Sequence, residues 1–333
     1  MKSIKIIFRI SLIISLLMYP MSVSAGDFNK AGRTALQFLK IGVGARPAAM
    51  GEACVANLNN VNAMFWNPAA IGQINHFETS FSYTKWFADM DFTAGAVGLS
   101  VTSTMVVALD YISLNYGNIP EALVTHPTGR LDTRTGENFS GSDLSLGVSV
   151  AKNFTNKLSI GIRGKYVQED LYTYSTNLWA FDIGTYYHTG WKGIRLAMSA
   201  QNFAGKARWL ATLEKEKQQY EVPLLFRIGT SIDLLGGSDL FLGGNPDRHR
   251  LTLNLDAIHS NDYAERLNIG AEYWFFNRIA LRSGYRFNQS YGKISFGGAL
   301  NFPVNQTNIH IDYAYVDYDY LDITHRFTVT FTY

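Results

Sequence analysis

The chain has 333 residues, with 29 Lys and Arg against 27 Asp and Glu, and this net charge of +2 leaves no electrostatic footprint for a nucleic acid. The lone cysteine, Cys54, excludes an intrachain disulfide and every Cys-based zinc site, and its neighbours Ala53 and Val55 suggest a small packed hydrophobe. Aromatic content of 14%, charged content of 17% and a mean hydropathy of −0.03 argue against a helical membrane protein and suit strands that alternate apolar and polar residues.

Lys2, Lys5 and Arg9 precede an apolar run from Ile10 to Met18, and Val23-Ser24-Ala25 supplies the small residues a signal peptidase requires. The competing reading is an N-terminal membrane helix. The run is shorter than the roughly 20 apolar residues a spanning helix needs, and Pro20 interrupts it. Residues 1–25 are therefore expected to be a signal peptide cleaved near Ala25, directing export of a chain whose expected destination, from its terminal aromatic strand, is the outer membrane of a Gram-negative bacterium. Losing three cations and no acids turns the net +2 into −1. No Cys stands immediately after that point, so a lipoprotein anchor is not expected.

Residues 26–76 do not read as strands. Ala31 to Lys40 has helical spacing, with Ala31, Ala35, Leu36 and Leu39 on one side. The small-residue run that follows, from Gly42 and Gly44 through Arg46 to Met50 and Gly51, lets backbone pass close to other backbone. In Asn62 to Ala70, Asn67 is placed to cap a turn that Pro68 fixes and Ala69 continues. These features suit a plug inside a barrel lumen or across its periplasmic mouth. A phosphate-binding loop is the poorer reading, because neither G-x-G-x-x-G nor G-K-[ST] is present.

From residue 77 the chain reads as strand after strand. Leu158, Ile160 and Ile162 alternate with Ser159, Gly161, Arg163 and Lys165, and Leu267, Ile269, Ala271 and Tyr273 alternate with Asn268, Gly270 and Glu272. About 14 such segments of roughly 9–12 residues, a length that crosses a bilayer when tilted, start near 77, 91, 104, 142, 157, 177, 193, 223, 249, 264, 279, 293, 307 and 324. With both chain ends periplasmic, tight turns are expected at Thr102-Ser103, Phe154 to Asn156, Thr189-Gly190, Phe276-Asn277 and Pro303 to Asn305. The long polar connections 117–140 and 204–222 then become extracellular loops. One connection, 235–249, is too long for a simple turn and holds either a periplasmic hairpin or an error of register.

The last strand, Arg326 to Tyr333, places Phe327, Val329, Phe331 and Tyr333 on one face and threonines on the other. In a soluble sheet this would be an aggregation-prone edge; a closed barrel in lipid leaves no edge. A soluble sandwich or propeller also alternates, but without this agreement of leader, terminal aromatic strand and loop rhythm. The expected fold is all-β: a transmembrane antiparallel β-barrel of about 14 strands over 77–333, with an N-terminal helical plug segment over 26–76.

The phrases FLKIGVGARPAAMGEACVA and NAMFWNPAAIG, with later echoes at Arg195 to Phe203, Leu281 to Arg286 and Asp312 to Tyr315, resemble the PorV/PorQ family of outer-membrane proteins, related to the FadL fatty-acid transporters. The G-x-G-A-R-P-A-A-M-G form fits the PorV side. Cys54 and Ala70 depart from the family pattern, where a larger apolar residue and Gly are usual. The resemblance implies a FadL-like barrel whose Asn-Pro-Ala element, here Asn67, Pro68 and Ala69, sits near a wall kink through which apolar ligands leave. PorV relatives act in type IX protein secretion, holding the C-terminal signal domains of exported proteins.

If the apolar faces meet lipid, the lumen receives Arg163, Lys165, Arg195, Arg227, Arg282, Arg286 and Arg326, opposed by Asp182, Asp256, Glu272 and Asp312. Either these charges form ladders that rigidify a plugged lumen, or they line a path or clamp for a ligand carboxylate. Trp86, Trp179, Tyr186, Tyr187 and Trp274 are expected in interfacial girdles. No G-x-S-x-G or H-E-x-x-H appears and the seven His are scattered, so no enzyme, cofactor or metal is expected. Two functions follow: a non-catalytic PorV-type barrel binding translocon partners or exported proteins, and a FadL-like passive transporter of fatty acids or other hydrophobic small molecules. Outer-membrane lipid is the common partner.

Overall fold

The computed structural model describes residues 32–123, 133–211 and 215–333, so the expected signal peptide and parts of two outer loops lie outside it. Fourteen strands make the wall. In chain order they are β1 Phe77–Lys85, β2 Asp91–Thr102, β3 Met105–Asn115, β4 Gly141–Asn153, β5 Leu158–Leu171, β6 Tyr174–His188 and β7 Ile194–Ala204. They continue as β8 Leu225–Leu235, β9 His249–Ser260, β10 Arg266–Phe275, β11 Ile279–Phe287, β12 Ile294–Val304, β13 Thr307–Asp317 and β14 Ile323–Thr332. Each pairs antiparallel with its chain neighbours, and β1 pairs with β14 (Ser80 opposite Thr330), closing the barrel. The starts fall within three residues of those expected, because the period-2 pattern and the turn residues locate a strand jointly.

Five short turns lie at one end of the wall, and the 236–248 connection lies there too. It is no register error. Leu242 donates its N–H to Leu234 O at 2.9 Å and Gly236 to Gly243 O at 3.0 Å, prolonging β8 as a hairpin-like extension. The other end carries the longer loops, with one exception: β5 and β6 join through Tyr172 and Thr173 alone. The alternation did not disclose two loop hairpins there. Ile119–Leu123 pairs with Thr133–Phe139, and Ala207–Ala211 with Lys215–Tyr220, extending the edge of β6.

Parity decides which side chains meet lipid. Trp179 and Leu281 are each 64% exposed, and Phe81, Leu109, Ile162, Met198, Phe296 and Phe327 point outward with them. In hydrocarbon such a belt is the favoured surface, and closure pairs every backbone group inside it. Among the described residues no helix is long and apolar enough to cross a membrane. The expected girdle is corrected at two positions: Tyr186 and Trp274 are buried and point inward, because each shares the parity of the inner face (Asp182 and Gly184; Glu272). Tyr187 and Trp179 do face out. Trp86 sits in the β1–β2 connection against Phe87 and Tyr318.

Residues 34–76 run down the inside of the barrel. The helix expected over 31–40 shrinks to one 3₁₀ turn, Gln37–Lys40, because Gly32 (φ 81) and Leu36 (φ 56) take left-handed conformations. Thr34 instead bridges in parallel to Glu221. Then follow a short helix α1, Ala45–Ala49, and 3₁₀ turns at Val61–Phe65 and Pro68–Gln73. Leu58, Val61, Met64, Ile71 and Ile74 of this segment pack with the inner faces of β2 and β3, where Phe92, Ala94, Ala96, Val106, Ala108, Ile112 and Leu114 replace the polar lining. At about 1.5–3 kcal/mol per buried aliphatic side chain, this contact anchors the segment to one side of the wall.

Candidate functional site

The segment approaches the wall where the wall has no side chain. A Cβ on Gly161 of β5 would stand 2.4 Å from Ala69 N and from Pro68 C, and one on Gly284 of β11 would stand 2.0 Å from Gly51 N. Gly51 itself holds φ 62 and Gly44 φ 94, the latter opening α1. Gly42 lies under the ring of Trp66, whose Nε1 donates to Val43 O at 3.0 Å. Met50 is fully buried beside Gly270. Asn67 caps its turn as expected, accepting from Ala69 N at 3.1 Å with Pro68 first in the turn, and donates to Thr185 O of β6 at 3.0 Å.

Beside that turn the wall is irregular. Phe181 pairs with Phe203 and Ile183 with Ala200, so β7 carries one residue more than β6 across this step. Asn202 takes φ 66, and its N–H is received by Asp182 Oδ1 at 2.7 Å. Asp182 also takes Lys165 Nζ at 2.9 Å and Arg163 Nη1 at 3.1 Å, and Arg163 forks onto Asp110. Gln201 donates to Phe65 O at 2.9 Å, tying the bulged strand to the segment. Outside, Phe181 and Phe203 face lipid. The cavity between Phe65, Trp66 and this charge cluster has a volume of only about 30 Å³, room for roughly one water.

A second cluster links segment to wall through carboxylates. Glu272 receives Arg46 Nε and Nη2, both at 2.8 Å, and Arg282 Nε at 2.7 Å; Arg282 Nη1 reaches Asp312 at 2.6 Å. Asp256 receives Cys54 N at 2.8 Å and Val55 N at 3.0 Å. Arg326 donates to Gly42 O and to Tyr318 Oη, and Arg286 lies 3.4 Å from Glu52. Among the described residues no carboxylate forms an ion pair with Arg227, which lies over Trp66, 4.8 Å from its ring centroid. All the expected lumen charges are buried except Arg195, which is half-buried and forks onto Asp233 at 2.7 and 3.0 Å.

A third tie lies at the long-loop end, where Asp262 receives Lys40 Nζ at 2.6 Å, Ser260 Oγ at 2.7 Å and Thr34 Oγ1 at 3.0 Å. Burial opposes its ionisation, but the Lys40 ammonium and the hydroxyls outweigh burial and hold the carboxyl below the usual range. A depressed folded-state pKa gives stability that is complete above the unfolded value of about 3.9 and is lost as pH falls through the folded value. Protection of the amides at residues 34–41, with exchange taken relative to the intrinsic rate at each pH, is therefore expected to be high at pH 5 and to fall at pH 3 and below. Asp262→Asn should make it low at both.

At the short-turn end the lumen opens into a polar cavity of about 390 Å³. Arg46, Arg195, Arg250 and Arg282 line it with Glu78, Asp233, Glu272 and Asp312, beside Tyr186, His188, Trp274 and His310. The alternation did not single out Arg250, although its inward parity beside Thr252 and Asn254 was readable. Among the described residues no group of His, Cys, Asp and Glu is arranged to hold a metal ion.

With this geometry in place, solved structures supply the comparison. The Ralstonia pickettii toluene transporter TbuX matches with a TM-score of 0.57 at 13% identity, over 87% of this chain and 97% of that one. The Pseudomonas putida toluene transporter TodX gives 0.56 at 12%, over 87% and 96%. CymD, a monoaromatic hydrocarbon channel, gives 0.56 at 11%, over 88% and 98%. They share this fold. No protein-family model and no curated protein matches the sequence. The likeness agrees with the closed 14-stranded antiparallel barrel expected from the sequence and does not reach the PorV/PorQ branch.

Proposed function

We propose that this chain is a non-catalytic, passive conduit for hydrophobic small molecules in the outer membrane. The observation that carries this reading is the irregular β6–β7 pairing at Asp182 and Asn202, directly behind the Asn67-Pro68-Ala69 turn and flanked on the lipid side by Phe181 and Phe203. A bulge re-aims a strand and weakens its ladder, so this is where the wall opens to lipid at least cost. Beyond the Arg163, Lys165 and Asp182 cluster, the apolar inner faces of β2 and β3 offer a greasy surface once the segment moves. With about 30 Å³ free beside the bulge, the structure is the closed state of such a conduit. The hydrocarbon cargo of TbuX, TodX and CymD supports the same class of solute here.

Uptake of labelled toluene and of a labelled long-chain fatty acid by proteoliposomes is the test. At least one should enter faster than into protein-free vesicles, and Asn67→Ala, which unties the turn from Thr185, should change that rate severalfold. Equal entry for both solutes with and without protein would reject the conduit. The second reading is a PorV-type docking barrel for type IX secretion; its support is the sequence resemblance and a lumen filled as a rigid scaffold requires. Recovery of translocon components or C-terminal signal domains on the solubilised protein, without uptake, would favour it instead.

A further inference from the structure

The cavity at the short-turn end is polar, so it is poorly suited to the hydrocarbon cargo proposed above, and its charges are not all used by the wall. Arg46 and Arg282 are consumed by Glu272 and Asp312, and Arg195 by Asp233. Arg250 is different. It stands opposite Trp274 in the β9–β10 register, its guanidinium 5.7 Å from the ring centroid, and among the described residues no carboxylate forms an ion pair with it. Trp274, 6% exposed and lining the same cavity, has an Nε1–H without a hydrogen-bond partner among the described residues. The remaining acid of the cavity, Glu78, lies six strands round the wall and is held by the amide of Val61 at 2.7 Å.

We infer that this cavity is an anion-binding site, with Arg250 as the receiving cation and the indole N–H of Trp274, closed off until the ring turns toward the ligand, as a second donor. A carboxylate or a phosphate fits the chemistry, since the planar guanidinium presents paired N–H groups that match two oxygens of either, and Trp274 adds a neutral donor. Ring contacts from Arg250 and Arg282, both 5.7 Å from the Trp274 centroid, keep the indole beside the receiving cation. The volume of about 390 Å³ falls in the range of small-molecule sites, large enough for an anion that carries a modest organic body. Asn59 is exposed within the lining, so the site is reached from solvent without moving the inner segment. The inference is independent of what crosses the wall.

Calorimetric titration of the full chain in a neutral, phosphate-free detergent distinguishes the two sources, using succinate in one arm and inorganic phosphate in the other. Saturable binding of at least one, weakening with added chloride, is expected. Arg250→Gln should weaken it by about tenfold to a hundredfold, as loss of a charge-assisted pair requires. Trp274→Phe, which keeps the ring and removes the N–H, should weaken it severalfold. Arg278→Gln, in the turn at the same end but outside the cavity, should leave it unchanged. Retained heat-dependent gel mobility in each variant shows that the barrel still forms. No saturable binding in either arm, or binding that Arg250→Gln leaves intact, would overturn the assignment.

Discussion

Gly161→Val is expected to unseat the inner segment while leaving the wall standing. The new side chain would start 2.4 Å from Ala69 N and Pro68 C, and its neighbour in register, Gly184, offers no retreat because a Cβ there would already meet Asn67 Oδ1 at 1.9 Å. Both obstacles are the segment's own Asn-Pro-Ala turn, whose Pro ring and cap resist adjustment. Overpacking ordinarily costs about 1–3 kcal/mol, and more when backbone rather than a side-chain tip must yield. The wall strands depend on ladder bonds that the substitution does not touch. Cold gels should therefore still show the compact, heat-sensitive form. Proteolysis in detergent should begin to cut within 34–76, and single-channel conductance in planar bilayers should rise. Protection of the segment equal to that of the parent protein would show that the close approach at Gly161 is dispensable.

The second large effect is expected at Glu272. This buried carboxylate is shared by Arg46 of the segment and Arg282 of the wall, with Arg282 continuing to Asp312. Glu272→Leu leaves Arg46 without a carboxylate and Arg282 with Asp312 alone, and breaking a buried pair in this way costs up to about 3–5 kcal/mol. The urea midpoint for loss of the compact gel form in liposomes should fall accordingly. Adding Arg46→Met removes the stranded charge, so the double variant should recover part of the loss. A midpoint unchanged by Glu272→Leu would mean that the cluster is hydrated well enough to contribute nothing.

Strand number and starts were legible because lipid on one side and a polar lumen on the other enforce a strict two-residue period. Where a third surface intervened, legibility failed. Phe92, Ala94, Ala96 and Val106 face inward, against the rule that apolar means lipid, because the inner segment covers them and supplies its own apolar partners. Tyr186 and Trp274 were expected at the interface from residue type alone, although parity with Asp182 and Glu272 already assigned them to the lumen. Helical spacing in 31–40 gave way to Gly32, to the left-handed Leu36 and to Thr34's bridge with Glu221, a contact no local pattern encodes. Of the candidate sites, the Asn67 cap was readable because its chemistry is local. The bulge at Asn202 was not, since it takes an Asp182 carboxylate from the neighbouring strand to hold it.

The ties between inner segment and wall have an implication for assembly. Lys40 meets Asp262 across 222 residues, Arg46 meets Glu272 across 226, and Ala45 meets Thr328 across 283. The inner segment can pack on β2 and β3 early, but it finds these three partners only when the later strands exist, and for Thr328 by then β14 has come round to β1. A finished cylinder offers no passage for threading it in. The sheet must instead curl around the segment as a wrapping winds on a mandrel, so that sealing the seam and filling the bore are a single late event.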